Sequence, residues 1–243
     1  MTTFIALLRS LAAYLFVSLY VIVVGTPLIA IALVVRSPAL LYWAGLIGVR
    51  GGMLLSGIRC RAEGTEHIQS GRAGVYAINH ASNLEPPIAF AVLRRLFPRL
   101  GVLYKAELRK LPILVWGFDL AGFVPLERGN RDQSLPAIER AADALRRGMS
   151  FMIFPEGTRS RTGELLPFKK GGFIMAIKGQ APIVPMAVKG ARDAMRKGSP
   201  IIRPVIVRVR LGEPIETRGM TLEDRDRVIA ETRTRIETML EDL

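Results

Sequence analysis

A histidine and a glutamate five residues apart, followed at once by two prolines, are the first residues in this 243-residue chain whose types and spacing could do chemistry: Asn79-His80-Ala81-Ser82-Asn83-Leu84-Glu85-Pro86-Pro87. A carboxylate hydrogen-bonded to one imidazole nitrogen fixes the tautomer and stabilises the imidazolium, leaving the other nitrogen to accept a proton. Such a pair activates a hydroxyl without any serine nucleophile on the protein. Positions five apart on an ideal helix diverge by roughly 140°, so the two side chains meet only where a loop folds one back toward the other. The apolar run Val75 to Ile78 reads as a strand that delivers His80 into a turn, and Pro86 and Pro87 fit only the first turn of a following helix. Alone, this spacing also describes a satisfied loop histidine beside a carboxylate at a helix N-terminus.

A second motif shifts that balance. Phe151-Met152-Ile153-Phe154-Pro155-Glu156-Gly157-Thr158-Arg159-Ser160-Arg161 reads as an apolar strand broken by proline, then a turn with a carboxylate, a glycine and two arginines. Arginine forks and turn amides are the groups that hold a phosphate monoester.

Together these residues resemble the lysophosphatidic acid acyltransferase (1-acylglycerol-3-phosphate O-acyltransferase) family of the glycerolipid acyltransferase superfamily. Asn79, His80 and Glu85 match its N-H-x4-D block, with glutamate, one methylene longer, in place of the usual aspartate. Gly122-Phe123-Val124-Pro125-Leu126-Glu127-Arg128 is similar to the second block, with Pro125 where an aromatic often stands. Phe154 to Ser160 matches F-P-E-G-T-R-S residue for residue, and Ala181-Pro182-Ile183-Val184-Pro185-Met186 resembles the fourth block. Lys105-Ala106-Glu107-Leu108 with Leu111-Pro112 looks like the region between the first two. The resemblance covers roughly residues 58 to 215.

The resemblance implies transfer of a fatty acyl group from acyl-CoA or acyl-carrier protein to the sn-2 hydroxyl of lysophosphatidic acid, giving phosphatidic acid. It implies His80 as general base oriented by Glu85, and Arg159 with Lys105 and Arg128 as ligands of the acceptor phosphate. Glu156, Gly157 and Thr158 would shape the turn that positions the acceptor. Neither a metal nor a resident cofactor is required, the acyl thioester being a co-substrate. Other acceptors that suit the same dyad are glycerol 3-phosphate, other lysophospholipids and lyso-ornithine lipids; the full F-P-E-G-T-R-S block favours one that bears phosphate.

The elements that must position these residues are those of an α/β domain, which the resemblance makes a mixed sheet flanked by helices. Strands are expected over Val75 to Asn79, Arg99 to Tyr104, Gly122 to Leu126, Phe151 to Phe154, Ile183 to Val188 and Val205 to Leu211. Helices are expected over Pro87 to Leu96, Leu108 to Trp116, Asp132 to Arg147 and Gly171 to Lys178. A last helix from Thr221 to about Leu240 opens on the capping-box-like Thr221-Leu222-Glu223-Asp224 and carries an apolar stripe at Val228, Ile229, Ile236, Met239 and Leu240. His67, in Glu63-Gly64-Thr65-Glu66-His67-Ile68, reads as a structural residue in a turn before the first strand.

Residues 1–57 form a separate N-terminal membrane-anchoring region ahead of a catalytic domain at 58–243. Their charged side chains are Arg9, Arg36 and Arg50, with no carboxylate. Ser10 to Val35 runs 26 residues without a charge, enough for a helix to cross a hydrocarbon layer of about 30 Å. Gly25-Thr26-Pro27 interrupts it, so it is one kinked span or two shorter helices. Pro38 to Gly57, with Tyr42, Trp43 and Arg50, suits a helix in or re-entering the interface. One span, two spans and a monotopic hairpin all remain open. No signal-peptide cleavage site follows the apolar run.

The formal charge of +13 calls for an anionic partner or surface. By the positive-inside tendency the basic remainder lies on the cytoplasmic side of the cell's inner membrane, facing anionic headgroups. The charge also suits a different class, a basic membrane-surface or nucleic-acid-binding protein without catalysis; nucleic acid is a poor fit, since no such motif occurs and few aromatics interleave with the Lys and Arg. A serine hydrolase is disfavoured because no G-x-S-x-G elbow is present. The single cysteine, Cys60, excludes an internal disulfide and a cysteine-rich metal site. Arg59 and Arg61 beside it could lower its pKa, but nothing nearby reads as its base.

Overall fold

The computed structural model describes residues 3–110, 112–127 and 131–243. At the N-terminus α1 (Thr3–Tyr20) runs through a π-helical turn at Val21–Gly25 into α2 (Thr26–Val34). The wide turn answers Pro27, which lacks an N–H and whose ring would strike the carbonyl one turn back. The Thr26 N–H reaches back five residues to the Val21 carbonyl. The 3–34 stretch is therefore one continuous helical rod. After a break at Arg36 and Ser37, α3 (Pro38–Ser56) returns beside it. Gly48, Gly51 and Gly52 receive Tyr20, Phe16 and Val17 of the first rod, where a Cβ would crowd those side chains. Among the described residues these are two helices long and apolar enough to cross a membrane, Thr3–Val34 and Pro38–Ser56.

The rest is a three-layer α/β unit. The strands among the described residues form one seven-stranded mixed sheet in the order β1-β7-β6-β2-β5-β3-β4. They are β1 (Arg59–Glu63), β2 (Val75–Ile78), β3 (Leu100–Lys105), β4 (Val124–Leu126), β5 (Ser150–Ile153), β6 (Ile183–Lys189) and β7 (Ile206–Leu211). From β6 to β4 all pairs are parallel, β7 runs antiparallel to β6, and β1 is parallel to β7. Central strands are apolar on both faces because helices cover both. The two-residue period sorts their side chains: Tyr76, Ile78, Met152, Val184 and Met186 enter one core, Val75, Ala77, Phe151, Ile153 and Ile183 the other. The first core is covered by α3 and α4 (Glu85–Val92), with α8 (Ala191–Ala194) at its margin. The second is covered by α6 (Arg131–Arg146), α7 (Gly171–Gly179) and α9 (Arg225–Asp242).

Several expectations need correction. The first strand is Arg59–Glu63, ahead of the turn at His67. As an exposed edge strand with alternating charge it shows no apolar pattern, and its ladder to β7 and the Glu63–Arg210 ion pair at 3.0 Å make it a strand. The element expected at Leu108 to Trp116 is a 3₁₀ turn at Ala106–Lys110 followed by α5 (Pro112–Leu120). Proline starts a helix more readily than it continues one. The Thr221 capping box forms: its N–H donates to Asp224 at 2.9 Å and its Oγ1 accepts from the Glu223 N–H at 3.3 Å, opening a short 3₁₀ turn before α9. The Cys60 thiol is pushed up to about 11 by burial, opposite to the lowering suggested by its neighbours.

The hairpin is fastened to the α/β unit. The buried Tyr42 of α3 donates its hydroxyl hydrogen to the Leu100 carbonyl at 2.5 Å and also lies 3.2 Å from that of Ala121. Its ring stacks with Phe90 and meets Phe97 at a tilt in the first core. Tyr42→Phe keeps the rings and leaves carbonyls without a partner, so stability should fall by about 1–2 kcal/mol. Chemical unfolding of the full chain in detergent measures it.

Candidate active site

The site lies at the C-terminal ends of the parallel strands. β2 ends at Ile78, and Asn79 leaves it clamped: its side-chain amide donates to the Val188 carbonyl at 3.0 Å and accepts from the Val188 N–H at 2.7 Å. The asparagine thus continues the β2–β6 ladder by one rung with its side chain, freeing its backbone to turn. His80 follows, and the chain loops into α4, whose first turn holds Glu85, Pro86 and Pro87.

That loop closes the expected pair. His80 Nδ1 stands 2.8 Å from Glu85 Oε2. Both Glu85 oxygens also accept from the Ala81 N–H, at 3.0 and 2.8 Å. The longer side chain therefore still reaches the imidazole, because α4 starts at Glu85 itself and its carboxylate turns back over the loop. Glu85 is 1% exposed. Burial holds its carboxyl above the ordinary carboxylate range, opposed by the hydrogen bond to His80 and by the main chain at Ser82 and Ala81. With Nδ1 engaged, Nε2 is the ring nitrogen left for chemistry. The Phe154 ring lies against the imidazole, centroids 4.4 Å apart.

β5 brings the second motif alongside. Phe154 to Gly157 forms a tight turn, the Gly157 N–H donating to the Phe154 carbonyl at 2.9 Å with Gly157 at φ +68. Only glycine suits this place, since a Cβ would also meet the Lys169 stem at 2.8 Å. Glu156 points inward and is 2% exposed. One of its oxygens accepts from the His80 N–H at 2.6 Å, the other from the Leu166 N–H at 3.0 Å. The Ser160 N–H donates to the His80 carbonyl at 2.7 Å. The second motif therefore grips the main chain of His80 on both sides. Burial raises the Glu156 carboxyl above its usual range, with the two backbone bonds opposing and Glu85 adding to the rise.

His80, Gly157, Thr158 and Arg159 share the wall of a cavity of about 870 Å³. Its lining combines apolar Leu103, Leu126, Leu135, Ile138, Met152 and Ile174 with basic Arg159, Lys169, Lys170 and Arg225 and the carboxylate Glu127. Lys170 is 3.6 Å from Asp226, whereas Arg159 and Lys169 have no ion-pair partner among the described residues.

The match of an acyltransferase family model to residues 59–189, more than half of the chain, spans β1 to β6 and every motif of this site. The chain belongs to the acyltransferase family. A 1-acyl-sn-glycerol-3-phosphate acyltransferase of Limnanthes douglasii is 36% identical over 181 residues, covering 72% of this chain and 62% of the relative. An acyltransferase of Schizosaccharomyces pombe is 30% identical over 188 residues, covering 76% and 66%. The alignments thus span less than two thirds of either relative. The fold is that of the 1-acyl-sn-glycerophosphate (LPA) acyltransferase PlsC from Thermotoga maritima, with a TM-score of 0.82 at 22% identity over 100% of this chain and 99% of that one.

In this member of the acyltransferase family not every expected residue reaches the cavity. Lys105, at the end of β3, is exposed and paired with Glu107 at 2.8 Å, and it is not among the cavity's lining residues. Arg128 lies outside the described residues. His67 sits on the short turn after β1 and is not among the cavity's lining residues. Three cavity residues had no sequence signal of their own: Lys169 and Lys170, which read as the lead-in to α7, and Arg225, which begins α9. The double glycine Gly171-Gly172 after the lysines was the available hint. A Cβ on Gly172 would run into Ile153 on the cavity wall, so α7 starts there only with glycine.

Proposed function

We propose that this protein transfers a fatty acyl group from an acyl thioester, acyl-CoA or acyl-carrier protein, to the sn-2 hydroxyl of lysophosphatidic acid, yielding phosphatidic acid. The observation that carries the reading is the Nδ1–Glu85 contact of His80 in a cavity whose lining holds both apolar and basic side chains. An acyl chain needs apolar surroundings and a phosphate needs basic ones, and this cavity offers both. The relatives named as 1-acyl-sn-glycerol-3-phosphate acyltransferases support the acceptor.

His80 Nε2 takes the proton of the sn-2 hydroxyl as that oxygen attacks the thioester carbonyl carbon. The tetrahedral intermediate collapses with cleavage of the C–S bond, and the imidazolium returns the proton to the departing thiolate. Glu85 keeps the proton on Nδ1 and stabilises the imidazolium between these steps. Arg159, aided by Lys169, binds the acceptor phosphate. The chemistry needs no metal and no resident cofactor. The N-terminal hairpin is embedded in the inner membrane with the catalytic unit on its cytoplasmic side, where the basic surface meets anionic headgroups.

The test is transfer from a labelled acyl thioester to lysophosphatidic acid in mixed micelles. Arg159→Ala should raise the acceptor KM by about 10–100-fold, the worth of a charge-assisted contact, with a smaller change in the donor KM. An unsubstituted protein that is inactive with phosphate acceptors and both thioester donors would refute the assignment.

A further inference from the structure

Residues 195–202, between α8 and β7, touch both motifs of the site and the first helix of the hairpin. Near the start of this loop, Ser82 Oγ donates to the Met195 carbonyl at 2.8 Å while accepting from the Leu84 N–H at 3.2 Å, which ties the loop to the turn carrying His80 and Glu85. Two residues on, Lys197 Nζ donates to the main-chain carbonyl of Arg159 at 2.8 Å. At the other end the Ile202 N–H donates to Ser10 Oγ at 2.7 Å, a buried contact, and the Tyr14 hydroxyl donates to the Pro200 carbonyl at 2.8 Å. Both partners lie on α1. The Arg203 N–H donates to the Ala194 carbonyl at 2.8 Å, drawing the two ends of the loop together.

The turn that bears Arg159 is gripped on either side of that residue, by Glu156 on the His80 N–H and by the Ser160 N–H on the His80 carbonyl. The main chain of Arg159 itself is held by the ammonium of Lys197. Charge-assisted hydrogen bonds are roughly twice as strong as neutral ones, and Lys197 is half-buried, so solvent screens this one incompletely. A long, flexible guanidinium reaches a fixed phosphate only from a fixed backbone origin.

We propose that Lys197 is a positioning residue for the acceptor: it sets the Arg159 turn against the cavity, and the 195–202 loop passes the seating of α1 on to that turn. The inference rests on the reading of Arg159 as the acceptor-phosphate ligand. Its consequence is that contacts of the membrane hairpin, some distance along the chain from the chemistry, govern how well a phosphate-bearing lipid is held.

The test compares acceptor KM, donor KM and kcat for the full chain in mixed micelles, with thermal unfolding measured alongside. Lys197→Met should raise the acceptor KM about tenfold while donor KM and kcat stay within about twofold, and Lys197→Arg should restore most of the loss. Arg196→Met removes the same charge one residue away and should leave the acceptor KM within about twofold. Ser10→Ala combined with Tyr14→Phe leaves every cavity side chain in place and should raise the acceptor KM about threefold or more, the effect of losing neutral hydrogen bonds. An unchanged acceptor KM in Lys197→Met, equal effects of Lys197→Met and Arg196→Met, or parallel shifts in donor and acceptor KM would each overturn the proposal. Should the unsubstituted protein transfer no acyl group, the acyl-transfer reading itself falls first.

Discussion

His80→Ala is expected to lower kcat by about 10³-fold or more, within the range for loss of a positioned general base, while the fold is retained at a cost of about 1–3 kcal/mol because the buried Glu85 loses its imidazole partner. The main-chain bonds of residue 80 to Glu156 and Ser160 do not involve its side chain. Glu85→Gln should cost about 10²–10⁴-fold through a different route. The Ala81 N–H requires an acceptor from residue 85, so the glutamine oxygen turns there and its amide N–H faces His80 Nδ1. That arrangement puts the imidazole proton on Nε2, the wrong tautomer for a base. Glu85→Asp shortens the reach by one methylene and should retain partial activity. Single-turnover rates with a labelled thioester separate these variants, and a fully active His80→Ala would end the general-base assignment.

The second large effect is expected at Glu156, which faces away from the cavity. Glu156→Ala strands two part-buried N–H groups, those of His80 and Leu166, each costing up to about 1–3 kcal/mol, so a total loss of at most about 2–6 kcal/mol is expected. Because the His80 main chain also loses one of its two clamps, kcat should fall by about 10²-fold, as small displacements of a catalytic group do. Glu156→Gln keeps one acceptor and should fall between. Its comparison with the unsubstituted protein has a defined pH dependence. Burial holds the folded-state carboxyl above its ordinary value near 4.5. The stability this group contributes is therefore fully present below that value and is lost as pH rises through the higher folded value. Glutamine does not titrate, so the stability gap should be widest in acid and narrow as pH rises. Urea unfolding of both proteins at several pH values measures the gap; a gap that widens upward would contradict the burial argument.

The dyad and the F-P-E-G-T-R-S turn were legible in the sequence because their spacing is local: a strand end, a turn and a proline-started helix bring His80 and Glu85 together within a few residues. The central strands were legible for a related reason, since strands buried on both faces read as apolar runs. β1 was not, because an edge strand is held by the ladder of a partner far along the chain rather than by apolar residues of its own. The 3₁₀ turn before α5 escaped notice because Pro112 divides what the apolar pattern joined.

Residue types and spacing by themselves determined that a histidine–carboxylate pair, a phosphate-suited turn and an apolar N-terminus occur in this chain. Only the tertiary structure decided that Glu156 serves His80 rather than solvent, that Lys105 stays paired outside the cavity while Lys169, Lys170 and Arg225 line it, and that α3 docks on the core through Tyr42. Each of those outcomes turns on which way a side chain faces once distant strands have paired, and parallel pairing across long crossovers sets that direction without leaving a local trace.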